Sequence, residues 1–181
     1  MKTQNMNRYG FERGIIPLLV LLAMLVLPLQ EITSNPPAKK LNLSGTWILN
    51  DSKSDFGEYG QMWASKKLVI VHKKKNLSIE RSSTDMNGQT YTVQESYTVD
   101  GEECENPIME ESKKISTVTI SDDKSSLVIK STMYLSFEGQ DMEIGTVETM
   151  SLGEDGKTLV IDGTSSTDFG DMVVQFVYDL E

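Results

Sequence analysis

Short runs of alternating apolar and polar residues, separated by turn residues, fill the chain from Lys66 to its end. Alternation with a period of two is typical of β-strands that bury one face. No window shows the 3.6-residue period of a long amphipathic helix, and no repeat of fixed length is present. The pattern therefore predicts an all-β protein.

Turn residues indicate how these strands pair. A two-residue turn at Asp155-Gly156 sets Met150 opposite Ile161, and another at Asp100-Gly101 pairs the strands on either side of it. Nearly all connections are short hairpins, whereas a Greek-key sandwich needs longer crossovers. Closure would also remove exposed sheet edges. We expect a single antiparallel meander β-barrel of about eight to ten strands, formed by residues 42–181.

The first strand, Leu43–Leu49, contains one glycine and one tryptophan, Gly45 and Trp47. The glycine allows another backbone to approach closely, and the tryptophan supplies a large apolar surface with one N–H to satisfy. Such a pair suits the closing of one barrel end.

With this Gly-x-Trp motif at its first strand, the chain resembles the lipocalin and fatty-acid-binding protein superfamily, also called calycins, and most of all the small secreted bacterial lipocalin-like domains. The resemblance implies a lipocalin-like barrel, with Gly45 and Trp47 as its barrel-closing motif. It covers the strand pattern from Leu43 onward. Lipocalins usually place an arginine near the last strand to stack on the tryptophan, but no arginine follows Arg81 here.

The first 30 residues have the features of a signal peptide. Lys2, Arg8 and Arg13 precede the apolar run Ile15–Leu29. This run is shorter than the roughly 20 residues of a membrane-spanning helix and contains two prolines. We expect export to the periplasm or the extracellular space, without stable membrane insertion after cleavage. An uncleaved anchor is the alternative. We expect residues 31–41 to form an extended tether before the barrel.

Charge and cysteine content narrow the function classes. Without residues 1–30 the chain keeps 14 basic and 26 acidic residues, a net charge of −12. Such a surface repels nucleic acid and anionic lipid headgroups, so we expect no nucleic-acid partner. The single cysteine, Cys104, permits no internal disulfide.

Three charged residues share the parity of apolar residues on their strands, namely Arg81, Glu95 and Glu148. If they point inward, they must be paired, hydrated or used in binding. The alternative is that they lie at strand ends near the barrel mouth, in contact with solvent.

In the resembling superfamily an arginine and a tyrosine in the lumen commonly hold an anionic headgroup. Arg81 with Tyr91 or Tyr97 would do so here, because a guanidinium matches a carboxylate. The two glutamates would neutralise Arg81 or favour a cationic ligand group. The predicted ligand-binding residues are Arg81, Tyr91, Glu95, Tyr97, Glu148 and Phe176.

The connection Asn50–Ser65 is long for a compact domain, and such loops are often functional. Its aromatic residues Phe56, Tyr59 and Trp63 form a possible lid over one barrel mouth. Alternatively, they cover the barrel end as additional core.

Catalysis and metal binding have little support in the sequence. His72 is the single histidine of the sequence. Its position beside Lys73–Lys75 predicts that it is an exposed residue of a hairpin. Neither a zinc ligand set nor a calcium loop is present. We expect no enzyme activity, no catalytic residues, no metal and no cofactor.

These observations predict an exported, non-catalytic protein that binds a small apolar or amphipathic ligand inside its barrel. The alternative is a barrel filled by its own side chains, which acts as an envelope interaction module or as an inhibitor of a protein partner.

Overall fold

The structure is a computed structural model that describes residues 40–58, 60–85, 87–109, 112–137, 140–167 and 170–181. The predicted signal peptide (1–30), most of the predicted tether (31–41) and Tyr59 lie outside these residues. Among the described residues, no helix is both long and apolar enough to cross a membrane.

Ten strands and one short 3₁₀ helix form this part of the chain. They are β1 (Gly45–Leu49), the 3₁₀ helix (Gly60–Met62), β2 (Lys67–Lys73), β3 (Asn76–Thr84), β4 (Thr90–Thr98), β5 (Glu103–Met109), β6 (Ser112–Ile120), β7 (Ser126–Phe137), β8 (Gln140–Leu152), β9 (Thr158–Thr167) and β10 (Gly170–Leu180).

All ten strands belong to one antiparallel sheet with the order β4-β3-β2-β1-β10-β9-β8-β7-β6-β5. Strands that are neighbours in sequence pair with each other, except β4 and β5, and β1 pairs with β10, where Trp47 lies opposite Leu180. The sheet curls into a nearly closed barrel whose two edges, β4 and β5, face each other. The predicted all-β meander barrel is confirmed.

The predicted register of the β8–β9 hairpin is also confirmed. Met150 lies opposite Ile161, and Glu148 lies opposite Gly163. Gly163 leaves room for the next strand, since a Cβ there would lie 2.9 Å from a methyl group of Val174. The alternation of side chains across the sheet thus places these residues as the sequence predicts.

The predicted pairing across Asp100-Gly101 is wrong. The strands on either side, β4 and β5, form no backbone ladder and lie at opposite ends of the sheet order. Gly101 N instead donates a hydrogen bond to Val118 O of β6. The dipeptide therefore leads the chain from one sheet edge, β4, to the other, β5, without forming a hairpin.

Side chains connect the two edges in place of a ladder. Asn106 on β5 accepts a hydrogen bond from Ser96 N at 2.8 Å and donates one to Ser96 O at 3.2 Å. The Cys104 Sγ atom accepts from Thr98 N at 3.2 Å. These side chains satisfy backbone groups of β4 on the side that faces β5, where no backbone ladder forms. We call this line of contacts the β4–β5 seam.

One end of the barrel, the closed end, is packed with apolar side chains around Trp47. The indole Nε1 donates to Leu43 O at 2.9 Å, which satisfies its only polar group. A Cβ at Gly45 would lie 2.7 Å from Leu180, so the glycine permits this close approach. Fully buried neighbours at this end include Leu68, Leu77, Leu127, Met150, Leu159 and Tyr178.

The long β1–β2 connection extends the pairing of β10 beyond the short β1. Asp55 and Gln175 form an isolated antiparallel bridge. The following Phe56 ring packs against Phe176, with 5.9 Å between the ring centroids. The 3₁₀ helix then passes over Val174, whose methyl group would lie 2.5 Å from a Cβ at Gly60. The connection therefore packs on the inner face of β10.

Candidate binding site in the barrel interior

Arg81 is the centre of a set of ion pairs inside the barrel. On β3 it alternates with exposed residues and shares the inward face with the fully buried Ile79. Its Nε donates to Glu95 Oε2 at 2.9 Å, and its Nη2 donates to Glu148 Oε2 at 2.7 Å. Arg81, Glu95 and Glu148 are therefore brought together, from β3, β4 and β8.

A fourth charge, Lys114 on β6, completes the set and was missed from the sequence. Its Nζ donates to the second oxygen of Glu95, Oε1. The alternation of Ser112, Lys114, Ser116 and Val118, all buried, would have placed it inward. Arg81, Glu95, Lys114 and Glu148 are hereafter called the charged cluster.

The charged cluster is shielded from solvent to different degrees. The exposed fractions of its side chains are 16% for Arg81, 6% for Glu95, 10% for Lys114 and 23% for Glu148. The alternative that these charges are solvated at the barrel mouth is therefore wrong for Glu95, and Glu148 is the most accessible member.

Mutual pairing favours the ionised forms of Glu95 and Arg81. Burial opposes ionisation of Glu95, but Arg81 and Lys114 outweigh it and lower the pKa of Glu95 to about 2. Burial likewise opposes the charge of Arg81, yet Glu148 and Glu95 raise the pKa of Arg81 well above its usual value. With two cations and two carboxylates, the cluster has no net charge.

Tyr97 lies beside the cluster with an unused polar group. Its side chain is buried, at 4% exposure, and its hydroxyl has no hydrogen-bond partner among the described residues. Lys114 Nζ lies 5.7 Å from the ring centroid. Burial, then the charge of Glu95, and also the approach of the Glu95 carboxylate to the hydroxyl raise the pKa of Tyr97 far above its usual value, although this approach lacks the geometry of a hydrogen bond. The hydroxyl therefore stays protonated and can donate a hydrogen bond.

Apolar surface adjoins the cluster on both sides along the barrel axis. The packed core lies toward the closed end. At mid-height, the inward-facing hydroxyls of Ser116 and Ser131 share a hydrogen bond of 2.8 Å. Toward the other end, burial decreases along β4 and β10, and we call this part of the barrel the open half. Its inward-facing side chains are mainly apolar and include Val93, Met133, Ile144 and Met172.

The other predicted site residues occupy separate places. Phe176 is buried in the core beside Phe56. Tyr91, at the beginning of β4, is 49% exposed and lies opposite Ser83. Trp63 of the possible lid is exposed. Of the six predicted ligand-binding residues, the structure therefore brings four together, namely Arg81, Glu95, Glu148 and the adjacent Tyr97.

The expectation that His72 is exposed is wrong. On β2 it shares the inward parity of Ile70, and only 9% of the residue is exposed. The preceding segment covers it, since Ser44 Oγ accepts a hydrogen bond from His72 N at 2.9 Å. Burial, and then the charge of Lys40, lowers the pKa of His72, which favours the neutral ring.

Two cavities, of about 400 and 280 Å³, lie mainly against the outer face of the sheet. The larger one adjoins Gly145, Lys130 and Thr164, whose positions alternate with the inward set. The smaller one adjoins Asp162 and Val173. No group of three or more potential metal ligands occurs in the part of the chain that the structure describes.

Comparison with solved structures places this geometry in a known fold. The zebrafish ileal bile acid-binding protein, solved in complex with cholic acid, superposes with a TM-score of 0.50 at 17% sequence identity. The match covers 76% of this chain and 98% of that one. The fold is that of a fatty-acid-binding protein. No protein-family model matches the sequence, and a search of curated proteins finds no match.

Proposed function

We propose that this protein is a non-catalytic carrier that binds a small amphipathic molecule inside its barrel. The observation that carries the proposal is the charged cluster at mid-height between a packed apolar end and an apolar open half. Beside it lies the Tyr97 hydroxyl, which has no hydrogen-bond partner among the described residues. A ligand headgroup would contact the cluster and Tyr97, while its apolar part would lie among the side chains of the open half.

Energetics support a binding role for these charges. Desolvating ion pairs is costly, and replacing them by apolar residues of similar volume is often neutral or stabilising. A barrel that only had to be filled would not require them. The zebrafish protein holds cholic acid, which supports a small-molecule ligand in a barrel of this fold.

We further propose that the carrier is exported and acts outside the cytoplasm, as the resemblance to secreted bacterial lipocalin-like domains implies. The basic residues before the apolar run Ile15–Leu29 support export. Cell fractionation with amino-terminal sequencing tests this proposal. A chain that begins between residues 31 and 42 in an extracytoplasmic fraction would support it, and a cytoplasmic chain that begins at residue 1 would overturn it.

A second candidate function is protein binding through the outer surface of a filled barrel. It is favoured by the mutual neutralisation of the charged cluster and by the two outer-face cavities. Exposed apolar side chains on the outer face, such as Val71 and Val173, would then contact the partner.

Native mass spectrometry of protein purified without detergent separates the two candidates. A carrier should retain a small molecule that organic extraction releases, or should gain mass stoichiometrically with an added long-chain amphiphile. If the measured mass remains that of the chain alone after incubation with long-chain alcohols, acids and sterols, the carrier proposal is overturned in favour of the outer-surface candidate.

A further inference from the structure

We propose that the charged cluster selects amphiphiles with an uncharged hydroxyl headgroup over those with a carboxylate. This inference rests on the carrier function proposed above and specifies its ligand class. It differs from the sequence-based expectation of an anionic headgroup on Arg81, because that expectation lacked Lys114 and the observed pairing.

The first step is the charge balance of the cluster. Arg81 donates to both carboxylates through Nε and Nη2, and Lys114 donates to Glu95. A ligand carboxylate could reach only the remaining N–H groups of Arg81 and Lys114, whose positive charges the two glutamates already balance. A third carboxylate in this desolvated region raises the energy of its charged form. The cluster therefore disfavours an anionic headgroup.

The second step is the hydrogen-bonding capacity that remains. The Tyr97 hydroxyl is buried and has no partner in the described chain, so it can donate one hydrogen bond. Arg81 contacts Oε2 of Glu148, and the other oxygen of this partly exposed carboxylate can accept a hydrogen bond from a ligand.

A ligand hydroxyl is complementary to this pair, because it accepts a hydrogen bond from Tyr97 and donates one to Glu148. A carboxylate can only accept, so it loses the second contact and is repelled by Glu148. Lys114 Nζ lies 5.7 Å from the centroid of the Tyr97 ring, and ion pairs connect Lys114 through Glu95 and Arg81 to Glu148. Donor and acceptor are thus parts of one site.

Dodecan-1-ol and dodecanoate, which differ only at the headgroup, test this selectivity. Their dissociation constants would be measured on the full chain by displacement of an uncharged fluorescent probe. At about pH 8.5 the acid is ionised. We expect the alcohol to bind at least about tenfold more tightly, which corresponds to one hydrogen bond to a charged group.

Glu148→Gln should largely abolish the selectivity. It leaves two cations and one carboxylate, and it frees Arg81 Nη2 for a ligand carboxylate. We expect dodecanoate affinity to rise about tenfold. Glu80→Gln is the matched control, since it changes the net charge equally on the exposed face of β3. It should change neither affinity.

Tyr97→Phe is a second variant that retains the packing of the ring. It should weaken dodecanol about tenfold while leaving dodecanoate nearly unchanged. Wild-type affinity for dodecanoate equal to or above that for dodecanol would overturn the headgroup inference but leave the carrier function in place. Failure of the wild type to bind either compound, or the probe, would instead overturn the carrier function.

Discussion

The Tyr97 hydroxyl is desolvated but makes no hydrogen bond to any described residue. An unsatisfied buried polar group costs roughly 1–3 kcal/mol. Tyr97→Phe should therefore raise the free energy of unfolding of the unliganded protein by about 1 kcal/mol. Urea denaturation measures the change, and Tyr134→Phe, at an exposed tyrosine, is the control. A destabilised Tyr97→Phe variant would show that the hydroxyl is already well paired in the free protein.

Glu95 links the stability of the barrel to pH. Because its pKa falls from 4.5 to about 2 on folding, its contribution is fully present above pH 4.5 and is lost as the pH decreases toward 2. The contribution is on the order of 3 kcal/mol. At neutral pH, Glu95→Gln should therefore be much less stable than the wild type.

Denaturant unfolding at a series of pH values tests this linkage. The stability difference between the wild type and Glu95→Gln should shrink steadily between about pH 4.5 and pH 2. Glu80→Gln, which removes an exposed carboxylate, should show no such trend. A difference for Glu95→Gln that is constant across this range would mean that Glu95 is not held ionised by its neighbours.

At the scale of elements, the β4–β5 seam depends on the amide of Asn106. Both hydrogen bonds to Ser96 are lost in Asn106→Ala, which leaves backbone groups of β4 without a partner. We expect a loss of roughly 1–3 kcal/mol in the free energy of unfolding. Hydrogen exchange at the Ser96 amide should also accelerate. Gln94→Ala, on the outward face of the same strand, should change neither, and an unchanged Ser96 exchange rate in Asn106→Ala would refute this role of the seam.

The β1–β2 connection allows the lid and core interpretations to be separated. Phe56 packs on Phe176, so Phe56→Ala should lower the free energy of unfolding by roughly 1–3 kcal/mol. Trp63 is exposed, and Trp63→Ala should change stability by less than about 0.5 kcal/mol. If the connection acts as a lid, Trp63→Ala should release ligand faster in stopped-flow measurements. An unchanged release rate would leave only the core interpretation.

Strand positions and local register followed from the sequence because they depend on short-range patterns. The β8–β9 hairpin is one example, where turn residues around Asp155-Gly156 and alternating apolar residues predict every pair from Leu152–Leu159 to Glu148–Gly163. The same kind of local pattern at Asp100-Gly101 predicted a hairpin, but β4 and β5 form no ladder. There, contacts of Gly101 with β6 and side-chain hydrogen bonds across the seam replace the ladder.

The candidate site was predictable only in part for a related reason. Alternation placed Arg81, Glu95 and Glu148 on inward faces, but it gives no information about which strands lie close across the barrel. Lys114 was missed because lysine is rarely buried without a partner. Its partner, Glu95, is 19 positions away in sequence and becomes its neighbour only when the barrel closes.

At the scale of the whole molecule, the barrel divides its interior into a packed apolar end and a less buried open half. The charged cluster lies between them and is satisfied by pairs from four strands, β3, β4, β6 and β8. Apolar residues of similar volume often replace such ion pairs without loss of stability, so the need to fill the barrel does not explain them. Their arrangement fits a site whose polarity is matched to a ligand headgroup.

The most direct test of this account is an NMR titration of protein labelled at the methionine methyl groups with dodecan-1-ol. Binding inside the barrel should shift the methyl resonances of Met133 and Met172, which line the open half, in proportion to occupancy. Met150, in the closed end, should shift less. Absence of shifts at Met133 and Met172, with dodecanol perturbing only resonances of the outer face, would contradict ligand binding inside the barrel.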